Sequence, residues 1–102
     1  MDVQIRWKAL TRSHAVEEHL AKRLWFAIGR FADRVTAVRV WLEDLNGPHG
    51  GVDKRCAIEV HGALGLRRAE VRDADLYIAV DRAAGTIGHS LARAAGVRHA
   101  HA

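Results

Sequence analysis

Apolar and polar residues alternate at the start of the chain, with Val3, Ile5 and Trp7 set between Gln4, Arg6 and Lys8, which is the period of a half-buried strand. The period then lengthens. After Leu10-Thr11-Arg12, Ser13 is placed to cap a helix in which Val16, Leu20, Leu24, Ala27 or Ile28, and Phe31 recur at helical spacing, so a helix is predicted from about 14 to 31. Glu17 and Glu18 fall in its first turn, where carboxylates suit the helix dipole. From Arg34 to Leu45 the alternation returns, with Val38, Val40 and Leu42 on one side and Arg39, Trp41 and Glu43 on the other.

Asn46-Gly47-Pro48-His49-Gly50-Gly51 is the only stretch dense in Gly and Pro, and it predicts a connection between strands. A third strand runs from Lys54 to about His61 with Cys56, Ile58 and Val60 facing one way. Gly62 to Gly65 reads as a hairpin turn, and Leu66 to Arg72 as a fourth strand with Ala69 and Val71 inward. Asp73 and Asp75 open a second helix carried by Leu76, Val80, Ala83, Ile87, Leu91 and Ala94, which Gly96 is placed to end. Gly85 and Gly88 lie inside it, each costing about 1 kcal/mol relative to Ala, and predict a kinked or frayed second half.

The order β-α-β-β-β-α predicts a two-layer α+β domain, a four-stranded sheet with both helices packed on one face and the opposite face open. By alternation that open face carries Arg6, Lys8, Arg39, Trp41, Arg55, Glu59, His61, Arg68, Glu70 and Arg72. Residues 1–96 are expected to form the one domain and 97–102 a disordered tail. A chain of 102 residues with 49% hydrophobic content suits a single core. It contains no apolar run of the roughly 18 residues that a membrane helix needs, and Met1-Asp2-Val3-Gln4-Ile5-Arg6 does not read as a secretory signal, so a cytoplasmic protein is expected.

Charge adds a direction. Sixteen Lys and Arg against twelve Asp and Glu give +4, and Lys occurs only at 8, 22 and 54. Guanidinium forks suit bidentate contact with phosphate and stacking on bases, which favours a polyanionic partner, although +4 alone is also compatible with an ordinary soluble domain.

Enzymatic chemistry finds little footing. Cys56 sits at an inward strand position as a small buried hydrophobe, without a partner to activate it. The pairs Glu17/Glu18 and Asp73/Asp75 are explained by helix starts. The Gly-rich loop lacks the Gly-Lys-Ser/Thr ending of a phosphate cradle and precedes a strand. His99 and His101, with His89 nearby, have no cysteine or carboxylate at ligand spacing, so neither a metal nor a cofactor is expected. His14 and His19 are read as surface residues. Trp7 is assigned to the core, Trp25 to a half-buried position beside the apolar stripe, and Trp41 to the open face, where it can stack on a base or pack against a partner.

Three segments carry a resemblance. Ser13-His14-Ala15-Val16-Glu17-Glu18-His19-Leu20 with Lys22-Arg23-Leu24, then Arg30-Phe31 and Arg34-Val35 running into Val38-Arg39-Val40, and Asp73-Ala74-Asp75-Leu76-Tyr77-Ile78-Ala79-Val80-Asp81 resemble the short ribosome hibernation promoting factors and ribosome-associated inhibitors, the sigma-54 modulation or S30EA ribosomal protein family. The likeness covers about residues 3 to 95. It implies a non-enzymatic factor that binds rRNA of the small ribosomal subunit between head and body, overlaps the mRNA and tRNA sites, and silences translation in starvation or stationary phase. On this chain it implies RNA contact through Lys22 and Arg23 on the first helix and Arg82 and Arg93 on the second, with Lys8, Lys54, Arg55, Arg67, Arg68 and Arg72 contributing from the sheet. The family's last helix usually ends Lys-rich, whereas Arg82 to Arg93 holds only those two cations. No C-terminal dimerisation domain of the long form follows, so ribosome pairing by this chain is not expected. The alternative reading is a protein-binding module or homodimer that uses the open sheet face.

Overall fold

The first helix starts where the sequence places its cap: Ser13 is extended and its Oγ accepts from the amide of Val16 at 3.2 Å. Such a cap contributes about 1 kcal/mol. In the computed structural model, which describes residues 1–96, the chain forms β1 (Asp2–Lys8), α1 (His14–Ile28), a 3-10 turn (Gly29–Arg34), β2 (Val35–Asp44), β3 (Lys54–Gly62), β4 (Arg67–Asp73) and α2 (Leu76–Ala95). The six residues expected to form a tail, His99 and His101 among them, lie outside the described residues.

The sheet order is β1-β2-β3-β4, with β1 parallel to β2 and the other pairs antiparallel. The parallel pair needs a crossover, which α1 supplies. Register places Ile5, Val40, Ile58 and Ala69 in one row and Trp7, Leu42, Cys56 and Val71 in the next, both facing the helices. Val16, Leu20, Leu24 and Ile28 of α1 and Val80, Ala83, Ile87 and Leu91 of α2 close over these rows. The two-layer α+β arrangement is the one the alternation predicts.

Four local expectations need correction. The helix predicted to residue 31 ends at Ile28 and tightens into the 3-10 turn, which still buries Phe31. Val3, although on the inward face, is exposed, because β1 is an edge strand and a cleft remains between its start and α1. The turn from Gly62 to Gly65 is closed by the Gly65 amide donating to the Gly62 carbonyl at 3.0 Å, but Gly62 is also the last residue of β3, opposite Val35, and Arg67 rather than Leu66 begins β4.

The fourth correction concerns α2, which is continuous from Leu76 to Ala95 and neither breaks nor frays at its glycines. Asp75 caps it, its Oδ1 accepting from the amide of Tyr77 at 2.8 Å, and Gly96 ends it in the left-handed conformation. Gly88 sits at a tight contact between the helices. A Cβ there would come within 3.2 Å of the Ala27 carbonyl oxygen and 3.3 Å of its Cβ, so the glycine lets α1 and α2 approach closely. At Gly85 a Cβ would meet nothing within 4 Å.

Candidate nucleic-acid interface

The two faces of the molecule spend their cations differently. Across the open sheet face, ion pairs link one strand to the next. Lys8 Nζ lies 3.4 Å from Glu43 Oε2, and Arg55 bridges Glu43 and Glu70 at 3.2 and 3.1 Å. Arg68 then joins Glu70 at 3.6 Å to Glu59 at 3.9 Å, and His61 lies 3.0 Å from the other oxygen of Glu59. Register explains this ladder: Lys8, Glu43, Arg55 and Arg72 share one row, and Glu59 faces Arg68.

The hydrogen bond from Arg55 holds the Glu70 carboxyl below the usual carboxylate range, and the same bond raises Arg55. Between the ladder and Trp41, Ala57 is fully buried although it faces away from the helices. The sequence-predicted open face therefore exists, but most of its charge is internally matched. Arg6, Arg39 and Arg72 are the open-face cations without a carboxylate partner among the described residues.

Lys54 and Arg67 point the other way, as alternation from Arg55 and Arg68 requires. Lys54 binds Asp53 at 2.9 Å and lies 3.6 Å from Asp44, and the bond to Asp53 raises its pKa. Arg67 donates from Nε and Nη2 to the Leu64 carbonyl at 3.2 and 3.0 Å. In the Gly-rich loop the amides of Asn46 and Gly47 donate to Asp44 Oδ1 at 3.1 and 2.8 Å, so these donors are already used within the loop.

On the helix side, Lys22, Arg30, Arg34 and Arg93 are exposed and have no carboxylate partner among the described residues. Arg82 is mostly exposed and 3.6 Å from Asp73. Arg23 Nε lies 3.2 Å from Asp81 Oδ1, which also receives His19 Nε2 at 2.5 Å. His19, read as a surface residue, is thus a half-buried tie between the helices, with its ring edge-on to Tyr77 at 5.1 Å.

Two aromatics were not legible as surface groups. Trp25 is 65% exposed rather than half-buried, and Phe26 is 84% exposed. Large exposed apolar side chains are the informative exceptions on a surface. Arg23 Cζ lies 5.9 Å from the Phe26 ring centre. Among the described residues no group of three or more His, Cys, Asp or Glu could hold a metal, and no helix is long and apolar enough to cross a membrane.

Comparison with known proteins agrees with this architecture. The sequence profile described as Sigma 54 modulation protein / S30EA ribosomal protein matches residues 3–98. The chain belongs to this family. Solved structures share its fold. The N-terminal domain of Protein Y from Thermus thermophilus is 30% identical, with a TM-score of 0.75 over 91% of this chain and 98% of that one. A ribosomal subunit interface protein from Coxiella burnetii has a TM-score of 0.78 at 18% identity, covering 94% of this chain and 99% of the other, a likeness of fold. No curated protein matches the chain by sequence.

Within this S30EA domain Cys56 is fully buried, and burial pushes its thiol up to about 12. Since the thiolate is the nucleophile, the native thiol is expected to resist a disulfide reagent at pH 8 and to react at the unfolding rate. Labelling with and without denaturant checks this, and rapid native labelling would contradict the burial.

Proposed function

We propose that this S30EA domain is a cytoplasmic ribosome hibernation factor that binds small-subunit rRNA between head and body, blocks the mRNA and tRNA sites, and performs no catalysis. The observation that carries the reading is the family membership over residues 3–98. Lys22, Arg30, Arg34 and Arg93 stand exposed on the helix side without an ion pair among the described residues, as Arg6, Arg39 and Arg72 do on the sheet face, while Lys8, Arg55 and Arg68 are held in the ladder. An unpaired exposed cation can take a phosphate at little cost, whereas one already bridged must first lose its carboxylate.

Lys22 and Arg93, with Arg30 added from the 3-10 turn, form the core of the proposed contact, and Arg23 and Arg82 join it through the donors that Asp81 and Asp73 leave over. Of the sheet cations, Lys8, Arg68 and Arg72 remain exposed enough for secondary contact. Lys54, Arg55 and Arg67 support their own strands and loops. Silencing on this reading is steric occupation, in which the domain displaces ligands by shape and charge.

Co-sedimentation with purified small subunits over a salt series tests the proposal. About four phosphate contacts predict a log–log slope near −3, so raising salt from about 50 to 200 mM should weaken binding about 60-fold. Protein left in the supernatant even at low salt would remove the reading. The alternative, a homodimer through the sheet face, would require burying the ladder from Lys8 to His61, whose desolvation opposes it. A salt-insensitive dimer in analytical ultracentrifugation would favour it.

A further inference from the structure

A groove of about 380 Å³ runs between α1 and α2, a volume at the lower end of ligand sites. Arg23, Phe26 and Arg30 stand along one wall and His89 on the other, with Gly85 and Gly88 between. The two guanidinia are oriented by rings: Arg23 lies against Phe26, and Arg30 Cζ sits 4.8 Å from the centre of Phe31. Asp81 occupies Arg23 Nε, which leaves both Nη groups for an anion.

Packing does not explain two members of this groove. Phe26 holds its ring in water. Gly85 weakens α2 by about 1 kcal/mol relative to Ala, yet no neighbour lies where its Cβ would be, unlike Gly88. Both features become intelligible if the groove has an occupant that stacks on the ring and passes over Gly85. Paired guanidinia beside an open aromatic face are the chemistry of an unstacked nucleotide, with phosphate on the forks and base on the ring.

We propose that the α1/α2 groove receives one unstacked nucleotide of single-stranded RNA, its base on Phe26 and its phosphate between Arg23 and Arg30. The inference deepens the rRNA-binding reading and rests on it, but its test does not depend on the ribosome. The 15N-labelled protein is titrated with a short single-stranded RNA, a duplex of the same sequence, AMP and inorganic phosphate. Gly85 and Gly88 amides are expected to shift with the single strand, weakly with AMP, and not with duplex. Equal shifts with inorganic phosphate and AMP would reduce the groove to an anion site and overturn the proposal.

Two variants complete the test. Gly85→Leu fills the groove, and Phe26→Ala removes the exposed ring without touching the core. Each is expected to weaken single-strand binding about tenfold, the scale of one lost stacked base, while its circular dichroism spectrum stays native. Native-like single-strand binding by Phe26→Ala would overturn the proposal even if Gly85→Leu misfolded. If both variants also sediment with small subunits as the parent does, the groove is not used and the ribosome reading stands. If the parent fails to sediment but its groove still discriminates single strand from duplex, the ribosome reading falls and the groove remains.

Discussion

Replacing Gly62 with alanine is expected to lower stability by roughly 3 kcal/mol or more, the upper range of overpacking changes. A Cβ at Gly62 would lie 2.0 Å from the Arg34 carbonyl oxygen and 2.9 Å from Val35 Cα. Both obstacles are backbone, so no side chain can swing aside. The affected corner is where β3 meets the start of β2, beside the register shift between Val35 and Ala37, and the Ala63 amide donates to the same Arg34 carbonyl at 2.9 Å. Relief requires opening the β2–β3 pairing at its end, which would also loosen buried Val35 and Val60. Urea unfolding followed by circular dichroism measures the effect. A loss below about 0.5 kcal/mol, the ordinary range of surface changes, would show that this corner relaxes without cost.

The sequence could not announce this role, because the atom that forbids a side chain at Gly62 belongs to Arg34, far away along the chain. Glycine between two alternating runs reads as a turn, which Gly62 does open, and nothing local marks the close approach of Arg34. The same limit separates Gly85 from Gly88. Both cost helix propensity, but only the position of Ala27 on the other helix tells which one is a packing contact.

Signals that are local or strictly periodic fared better. The Ser13 and Asp75 caps, the inward rows through Val40 and Ile58, and the outward set from Arg6 to Arg72 all follow from spacing, and the structure has them as predicted. Trp25 shows where periodicity stops. Its place next to Leu24 is compatible with burial on a wide apolar face, but the edge strand β1 offers only Met1, Val3 and Ile5 beside it, and the ring stays largely in water.

Charge was the hardest property to place, since alternation assigns a side chain to a face but not to a partner. Arg55 and Arg93 are equivalent in composition. Register puts Arg55 opposite Glu43 and diagonal to Glu70, while the helix side offers Arg93 no carboxylate among the described residues. The candidate RNA residues therefore fall into structural and available sets only when strand pairing is known.

A charge-matched pair of variants turns that division into a measurement. Lys22→Ala with Arg93→Ala removes two charges from the helix side, and Arg6→Ala with Arg39→Ala removes two from the sheet side. None of the four has a carboxylate partner among the described residues, so neither double variant strands a buried acid. Both should fold with stability within about 0.5 kcal/mol of the parent. Net charge is equal in the two, so any non-specific weakening is shared. The helix-side variant is expected to lose about 2 units of the salt slope for small-subunit binding, and on the order of 100-fold in affinity at low salt. The sheet-side variant should lose less than about threefold, with its slope kept. Equal losses would mean that the ribosome senses only total charge, and the reverse order would move the RNA surface to the sheet around Trp41. Only a larger loss on the helix side fits the proposed contact through α1 and α2, since the cations removed from the two faces are equally unmatched.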